Sequence, residues 1–293
     1  MSAFKRHTTE NEKRSLKNRV FGIAVIALSV ITISPIVLII SKLIIKGYRQ
    51  INLSFFTETA PDTLEAMTAV ANDEVIPGGI LNGITGTLFM VLLAVIIAVP
   101  IGILIGLFLY ENAEKRYAAI VRDISDIVQG IPSIVLGLIA YIWIVKGVTS
   151  GYSALAGSVS LAIMMLPLII RSTEETMKMI PLPIKEAAVA LGVPYHKVIL
   201  RVMIPTGLSG LMSGILLSVS RILGETAPLM LTALGSPIVN FYIDKPTSAV
   251  PLLIWEFYND PNMVDLIWSS SLFLMGIVLA FNLISKYIAA KRK

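Results

Sequence analysis

Residues 84–110 read ITGTLFMVLLAVIIAVPIGILIGLFLY, 27 consecutive positions without a charged side chain. A helix crossing the hydrocarbon of a bilayer needs roughly 20 mostly apolar residues. This stretch therefore spans a membrane with length to spare. The excess predicts tilt or bending, with Pro100 as the bend point. Five further stretches meet or approach the same requirement: Val20–Ile40, Asp126–Val145, Tyr152–Ile170, Gly207–Leu234 and Val264–Ile288. Gly207–Leu234 is also over-long, and Pro228 is its expected bend point. Of 293 residues, 55% are hydrophobic and 15% charged, and the mean hydropathy is +0.80. A globular domain carries about 25% charged residues, so this chain has too few to cover a soluble surface. The expected fold is an all-α integral membrane protein with six transmembrane helices.

Lys17 and Arg19 precede the first stretch as they would in a signal peptide. Its apolar run is too long for that, and no small-residue cleavage site follows; residues 20–41 are expected to remain as an anchor helix. Orientation follows from the basic residues. Eighteen lie in the tail 1–19, in the loop carrying Lys115, Arg116 and Arg122, in the loop 171–205 and at the C-terminus. Only five, Lys42, Lys46, Arg49, Lys146 and Lys245, fall on the other side. Both termini, including the tail 289–293, are therefore expected in the cytoplasm. Residues 42–83 form an extracytoplasmic segment with five acids and no repeated pattern, as in a partly mobile stretch. Residues 84–288 form the core, with five of the helices. The absence of cysteine excludes disulfides, thiolate metal sites and cysteine nucleophiles. His7 and His196 lie in polar stretches, which argues against a histidine-dependent site inside the membrane. Neither a metal nor a cofactor is indicated.

The loop 171–205 has helical character of its own. Pro183-Ile-Lys-Glu-Ala-Ala-Val-Ala-Leu-Gly192 opens with a proline, which suits a first helical turn. Gly192 is placed to end the helix in the left-handed conformation, ahead of Pro194. A second helix is expected from Tyr195 to Met203, stopping at Pro205. Ala187, Ala188 and Ala190 leave the first helix with very small side chains, able to approach another surface closely, and Lys185 and Glu186 supply polar rim contacts. Pattern alone leaves two readings open, a solvated amphipathic loop and a docking helix for a cytoplasmic partner.

Glu186-Ala187-Ala188, three residues, Gly192, nine residues and Val202-Met203-Ile204-Pro205 together resemble the EAA loop of ABC-importer permeases. That family's pattern is EAA, three residues, G, nine residues, then I-x-L-P; only Val202 and Ile204 depart from it. The resemblance implies a type I ABC importer permease fold. It also implies that Glu186, Ala187, Ala188, Gly192 and Pro205 act in coupling to a separate ATP-hydrolysing subunit, present in two copies. The chain has no phosphate-binding Gly-x-x-x-x-Gly-Lys-Ser/Thr loop and no Gly-Lys dipeptide to begin one. A transporter subunit is expected, not an enzyme.

Arg221 and Glu225 lie four residues apart within the fifth stretch, a spacing at which two side chains on a helix can pair. Charges at such a depth are costly and should face protein or a water-filled path. Two readings stand: an ion pair locking helices together, or a guanidinium in the translocation path that attracts an oxyanion, modulated by Glu225. Arginine suits phosphate because its planar fork donates two parallel hydrogen bonds. Gly224 would permit close backbone approach, and Ser218, Ser220 and Thr226 could add hydroxyl contacts.

Gly224-Glu225-Thr226-Ala227-Pro228-Leu229 resembles a segment of the PstA-type permeases of phosphate-specific ABC transporters. So do Gly78-Gly79-Ile80 with Ile84-Thr85-Gly86-Thr87-Leu88, and Gly130-Ile131-Pro132-Ser133-Ile134-Val135-Leu136-Gly137. These stretches cover roughly residues 78–235. The resemblance implies import of inorganic phosphate across the cytoplasmic (inner) membrane of a prokaryotic cell. It implies a second permease subunit of PstC type and an extracytoplasmic phosphate-binding protein as partners, with membrane lipid around them and no nucleic acid. Arg221, Glu225 and Thr226 are the residues expected at the substrate path or gate. Apart from Gly78-Gly79-Ile80, the outer segment 42–83 carries no clear resemblance to that family, nor does the loop 242–262, which could dip into the membrane or face a binding protein. A permease for molybdate or sulfate shares the loop but not the Gly-Glu-Thr-Ala-Pro segment. A self-contained secondary transporter would not need the loop. A rhomboid-like protease would need a membrane histidine, and a CDP-alcohol phosphotransferase more aspartates than Asp123 and Asp126.

Overall fold

The structure is a computed structural model. It describes residues 2–290, with side chains from Arg14 onward apart from Ser15 and Leu16. Lys291, Arg292 and Lys293, and the side chains of Lys5, Arg6 and Lys13, lie outside the described residues. Among the described residues the regular structure is all helical, with one isolated β-bridge between Leu234 and Thr247.

Helix α1 (Ser2–Gly47) is apolar and exposed along its membrane stretch. It meets the rest of the chain at its end, where Gly47 lies against Trp268 and Leu272 and its carbonyl accepts a 2.7 Å hydrogen bond from Ser269. The outer segment then folds into two short helices, α2 (Leu53–Thr57) and α3 (Thr63–Ala71). Asp62 and Glu65 form a reciprocal cap on α3, satisfying N–H groups that would otherwise lack partners. Phe55, Ala66, Ile76 and Ile80 are buried in a core shared with Val250, Leu253, Phe257 and Leu266, so the segment is packed where its sequence shows no pattern.

Helix α4 (Leu81–Glu111) runs continuously through Pro100. Its first turns hold the outer cap: Thr87 Oγ1 accepts from Val250 N–H at 2.9 Å, and Gly86 lies beneath Ser248. The expected third span is broken. Helix α5 (Arg116–Gly130) and helix α6 (Ser133–Ala140), which continues as a π-helix over Tyr141–Thr149, meet at 103°. Pro132 disfavours helical backbone at Ile131, and hydropathy alone does not register that. Helix α7 (Ala154–Lys178) continues well past the expected end at Ile170, so the first eight residues of the loop placed at 171–205 are helical extension.

Helix α7 is the centre of the bundle. Gly102 and Gly106 of α4 press on it at Ile169 and Thr173, where an added Cβ would come within 2.6 and 2.5 Å. Gly210 and Gly214 press on Thr176 and Ser172 from the other side. Between helices in lipid there is little hydrophobic gain, so close packing of small residues carries the association.

Past α7 come α8 (Leu182–Ala190) and α9 (Tyr195–Val198), then a π-helical turn Ile199–Met203 and α10 (Ile204–Thr206). The last three form one helical run, Tyr195–Thr206, which ends one residue past Pro205. The bend falls at Gly207, 71° before α11 (Leu208–Ile222). The expected span 207–234 is also interrupted: after α11 the chain leaves the helix and resumes as α12 (Ala227–Thr232). Pro228 would clash with the carbonyl of residue 224 in a continuous helix. Helix α13 (Val250–Tyr258) completes the outer cap, and α14 (Val264–Ala290) closes the bundle against α11, where Ser213 and Ser285 exchange hydroxyl-to-carbonyl hydrogen bonds. Among the described residues four helices are long and apolar enough to cross a membrane outright, and up to six spans result if each bent pair is counted as one.

Candidate functional site

Two places collect the residues singled out above. The first is a cleft of about 230 Å³ lined by Arg221 and Glu225, by Gln129 of α5, by Pro132 and Ser133 at the α5–α6 break, and by Met164 of α7. No ion pair joins Arg221 to Glu225. Helix α11 ends at Ile222, and Glu225 N–H turns back to the Ile222 carbonyl at 3.1 Å. The i,i+4 geometry needed for pairing is therefore lost. Arg221 is exposed to the cleft and Glu225 half-buried on its wall.

Two packed motifs build this wall. An added Cβ at Gly137 would come within 2.6 Å of Pro228 Cα, so the segment Gly130–Gly137 packs directly on Gly224–Leu229. The remaining expected contributors lie elsewhere. Ser218 and Ser220 are buried, and their hydroxyls donate to the Ile215 and Leu217 carbonyls at 2.7 and 2.9 Å. Thr226 stands at the start of α12, off the cleft. An added Cβ at Gly224 would meet nothing within 4 Å, so its close approach is not to this chain. Gln129 and Ser133 were missed from sequence. The signal was available, since Gly130-Ile131-Pro132 breaks a helix beside two hydrogen-bonding side chains.

The second place is the α8 loop. Glu186 and Ala187 are exposed, whereas Ala188 turns inward onto a small core with Met177, Val198 and Met203. Gly192 has φ +73°, the left-handed conformation expected from its position. Pro205 is exposed on α10. On the same loop Met179, Leu182, Val189 and Leu191 are 78%, 57%, 48% and 84% exposed, apolar side chains left uncovered by this chain. Exposed apolar area gathered on one loop marks an interaction surface.

Lys185 does not lie on the rim. It reaches inward to the end of α4, 3.0 and 3.1 Å from the two Glu111 carboxylate oxygens, with the rings of Tyr110 and Tyr195 at 5.1 and 5.2 Å. Burial works to lower its pKa, but hydrogen bonding to Tyr195 and Glu111 prevails and holds it above the ordinary lysine value. The α8 helix is thereby fixed to α4 by a charge-assisted contact with Glu111 and a cation–π contact with Tyr110, and to α9 by a cation–π contact with Tyr195.

Residues 98–291 match the family described as "Binding-protein-dependent transport system inner membrane component". The phosphate transport system permease protein PstA of Yersinia pestis is 33% identical over 96% of this chain and 92% of its own length. PstA of Mycobacterium leprae is 31% identical over the same shares. Among solved structures, the inward-facing methionine ABC transporter MetNI superposes with a TM-score of 0.61 at 21% identity, covering 72% of this chain and 94% of that one. An amino acid ABC transporter with histidines gives 0.52 at 18% identity, covering 79% and 99%. These structural likenesses concern the fold.

Proposed function

The chain belongs to the binding-protein-dependent transport inner membrane components, and within them to the PstA permeases, and on that footing we propose that it is the transmembrane permease subunit of an ATP-driven importer of inorganic phosphate. It is a multi-pass membrane protein, and a transporter subunit without an ATP site of its own. The observation that carries the substrate reading is the unpaired Arg221 in a cleft walled by the Gly130–Gly137 and Gly224–Leu229 segments. A guanidinium free of Glu225 keeps its fork of donors for a phosphate oxyanion. Glu225 across the cleft tempers that attraction so that the anion can leave. Thr226 acts through the turn that places Glu225.

The α8 loop docks on the ATPase. Its exposed Met179, Leu182, Val189 and Leu191 supply apolar area, and Glu186 and Ala187 face outward beside them. Gly192 shapes the end of that helix, and Pro205 starts the turn leading back to α11. Both termini lie in the cytoplasm, as the basic residues require. Two ATPase copies, a PstC-type second permease and an extracytoplasmic phosphate-binding protein complete the machine.

Reconstitution tests this. The purified chain alone in liposomes should import nothing. The chain with a second permease, the ATPase and the binding protein should import phosphate on addition of ATP. Uptake by the chain alone, or preferential uptake of sulfate or molybdate by the full complex, would refute the reading.

A further inference from the structure

A second cleft, also of about 230 Å³, lies between α5 and α7. At its wall Glu174 is only 6% exposed and carries three cationic nitrogens on one carboxylate oxygen. Arg122 Nε and Nη2 lie at 2.9 and 2.8 Å, and Lys178 Nζ at 2.6 Å. The rest of the Arg122 guanidinium is engaged too. It donates to the Leu109 carbonyl at 3.2 Å and the Ala113 carbonyl at 3.3 Å, both at the end of α4. One planar fork thus ties together α4, α5 and α7. Lysine could not do this, because it offers a point charge without the fork.

The position of this tie matters more than its strength. On α5, Arg122, Ser125 and Asp126 line the second cleft, and Val128 and Gln129, within the next two turns, line the Arg221 cleft. On α7, Lys178 is the last residue before Met179-Ile180-Pro181 and the α8 loop. Ile180 is buried with Ala188, Val198 and Met203, so the end of α7 and the loop share one packed core. A displacement of the loop therefore bears on α7 through this core and on α4 through Lys185 and Glu111. Both helices meet α5 at Arg122, which bonds Glu174 of α7 and the Leu109 carbonyl of α4, and α5 carries Val128 and Gln129 on the wall of the Arg221 cleft.

We propose that Arg122, held by Glu174, is the positioning residue that transmits displacement of the α8 loop to the α5 wall of the Arg221 cleft. The inference rests on the permease reading, and it names a contact 52 residues apart in sequence that lies outside both the loop motif and the cleft.

The test uses the assembled complex with ATPase, second permease and binding protein. The chain has no cysteine, so Gln129→Cys supplies a single thiol on the α5 wall, in partners likewise freed of cysteine. Its rate of modification by an impermeant maleimide is measured with and without ATP plus vanadate. With the tie intact, the nucleotide should change that rate. Removing one member of a buried pair strands the other, whereas replacing both with apolar residues is often neutral for stability. The key variant is therefore Arg122→Met with Glu174→Leu, and the milder one is Arg122→Lys. In the double variant ATP hydrolysis should continue and the nucleotide-dependent change at residue 129 should disappear. ATP consumed per phosphate imported should rise roughly two- to thirty-fold, the range over which networked residues alter coupling. Arg122→Lys should give an intermediate response, and it stands as the test should the double variant fail to assemble. An unchanged thiol response and ratio in whichever variant assembles would overturn the proposal. Failure of the phosphate reading shows separately, as absent phosphate uptake in the wild-type complex.

Discussion

Substitution of Gly192 tests whether backbone conformation at the end of α8 sets docking on the ATPase. The residue has φ +73°, and a Cβ placed there meets nothing within 4 Å. A larger side chain is therefore penalised by backbone strain alone, with no clash inside this chain. Left-handed backbone costs an ordinary L-residue about 1–2 kcal/mol, with β-branched residues the least tolerant. Gly192→Ala should cost about 1 kcal/mol and Gly192→Val about 2 kcal/mol, whereas Gly192→Asn should cost little because asparagine visits this region. If docking needs the left-handed end, the competent fraction falls by up to about five-fold for alanine and up to about thirty-fold for valine, and apparent ATPase affinity falls with it. The assay is ATPase co-purification over a concentration series, with phosphate uptake measured in parallel. The order asparagine, alanine, valine is the signature of backbone strain. Equal loss in all three variants would show that the partner is blocked by bulk, and normal association and uptake in Gly192→Val would refute the coupling role outright.

Three further outcomes follow from the packing. Lys185→Met should loosen α8 from α4 at a cost of about 1 kcal/mol, discounted because the pair is 20% and 22% exposed; ATP hydrolysis without matching uptake is the readout, and tight coupling in the variant would contradict it. Because the Lys185 pKa is raised in the folded state, its contribution is full below the ordinary lysine value near 10.4 and is lost only as pH rises through the higher folded value. Thermal stability between pH 6 and 9 should therefore show no inflection from this contact, and one abolished by Lys185→Met would refute that. Gly214→Ala drives a Cβ into Ser172 of α7 and should destabilise the bundle by about 1–3 kcal/mol, with partial recovery on adding Ser172→Gly; a melting curve in detergent that is unchanged by Gly214→Ala would contradict the close packing.

The straight helices were legible because an uninterrupted apolar run reports its own length. Helices α4 and α14 lie within a few residues of the stretches 84–110 and 264–288. The broken ones were not, since a hydropathy window averages across Ile131-Pro132 and Gly224-Glu225, where single-residue backbone rules decide. That averaging also suggested an Arg221–Glu225 pair that the end of α11 at Ile222 removes. Gly192 was legible, because its conformation is dictated locally by the residues around it. The Lys185–Glu111 and Arg122–Glu174 contacts, 74 and 52 residues apart, were not legible. Both ends of each are ordinary surface-type residues until the helices bring them together. The outer cap hid for a related reason: α2 and α3 are too short to show periodicity, and Phe55 and Ile76 are buried by α13 and α14, nearly two hundred residues on.

The most direct test of the account is phosphate uptake by the reconstituted complex carrying Arg221→Gln, Glu225→Gln, or both, with assembly monitored in detergent. Glutamine keeps hydrogen-bonding capacity and removes charge, and Arg221→Lys serves as the charge-retaining control. Arg221 faces the cleft without an ionic partner, so Arg221→Gln should leave the complex assembled and reduce uptake about ten-fold or more, the loss expected for a charge-assisted contact to an anion. Lysine should restore part of it, and the double variant should stay as poor as Arg221→Gln. Full recovery of uptake in the double variant would contradict the account, leaving Arg221 and Glu225 as a structural pair and the cleft without its anion-attracting group.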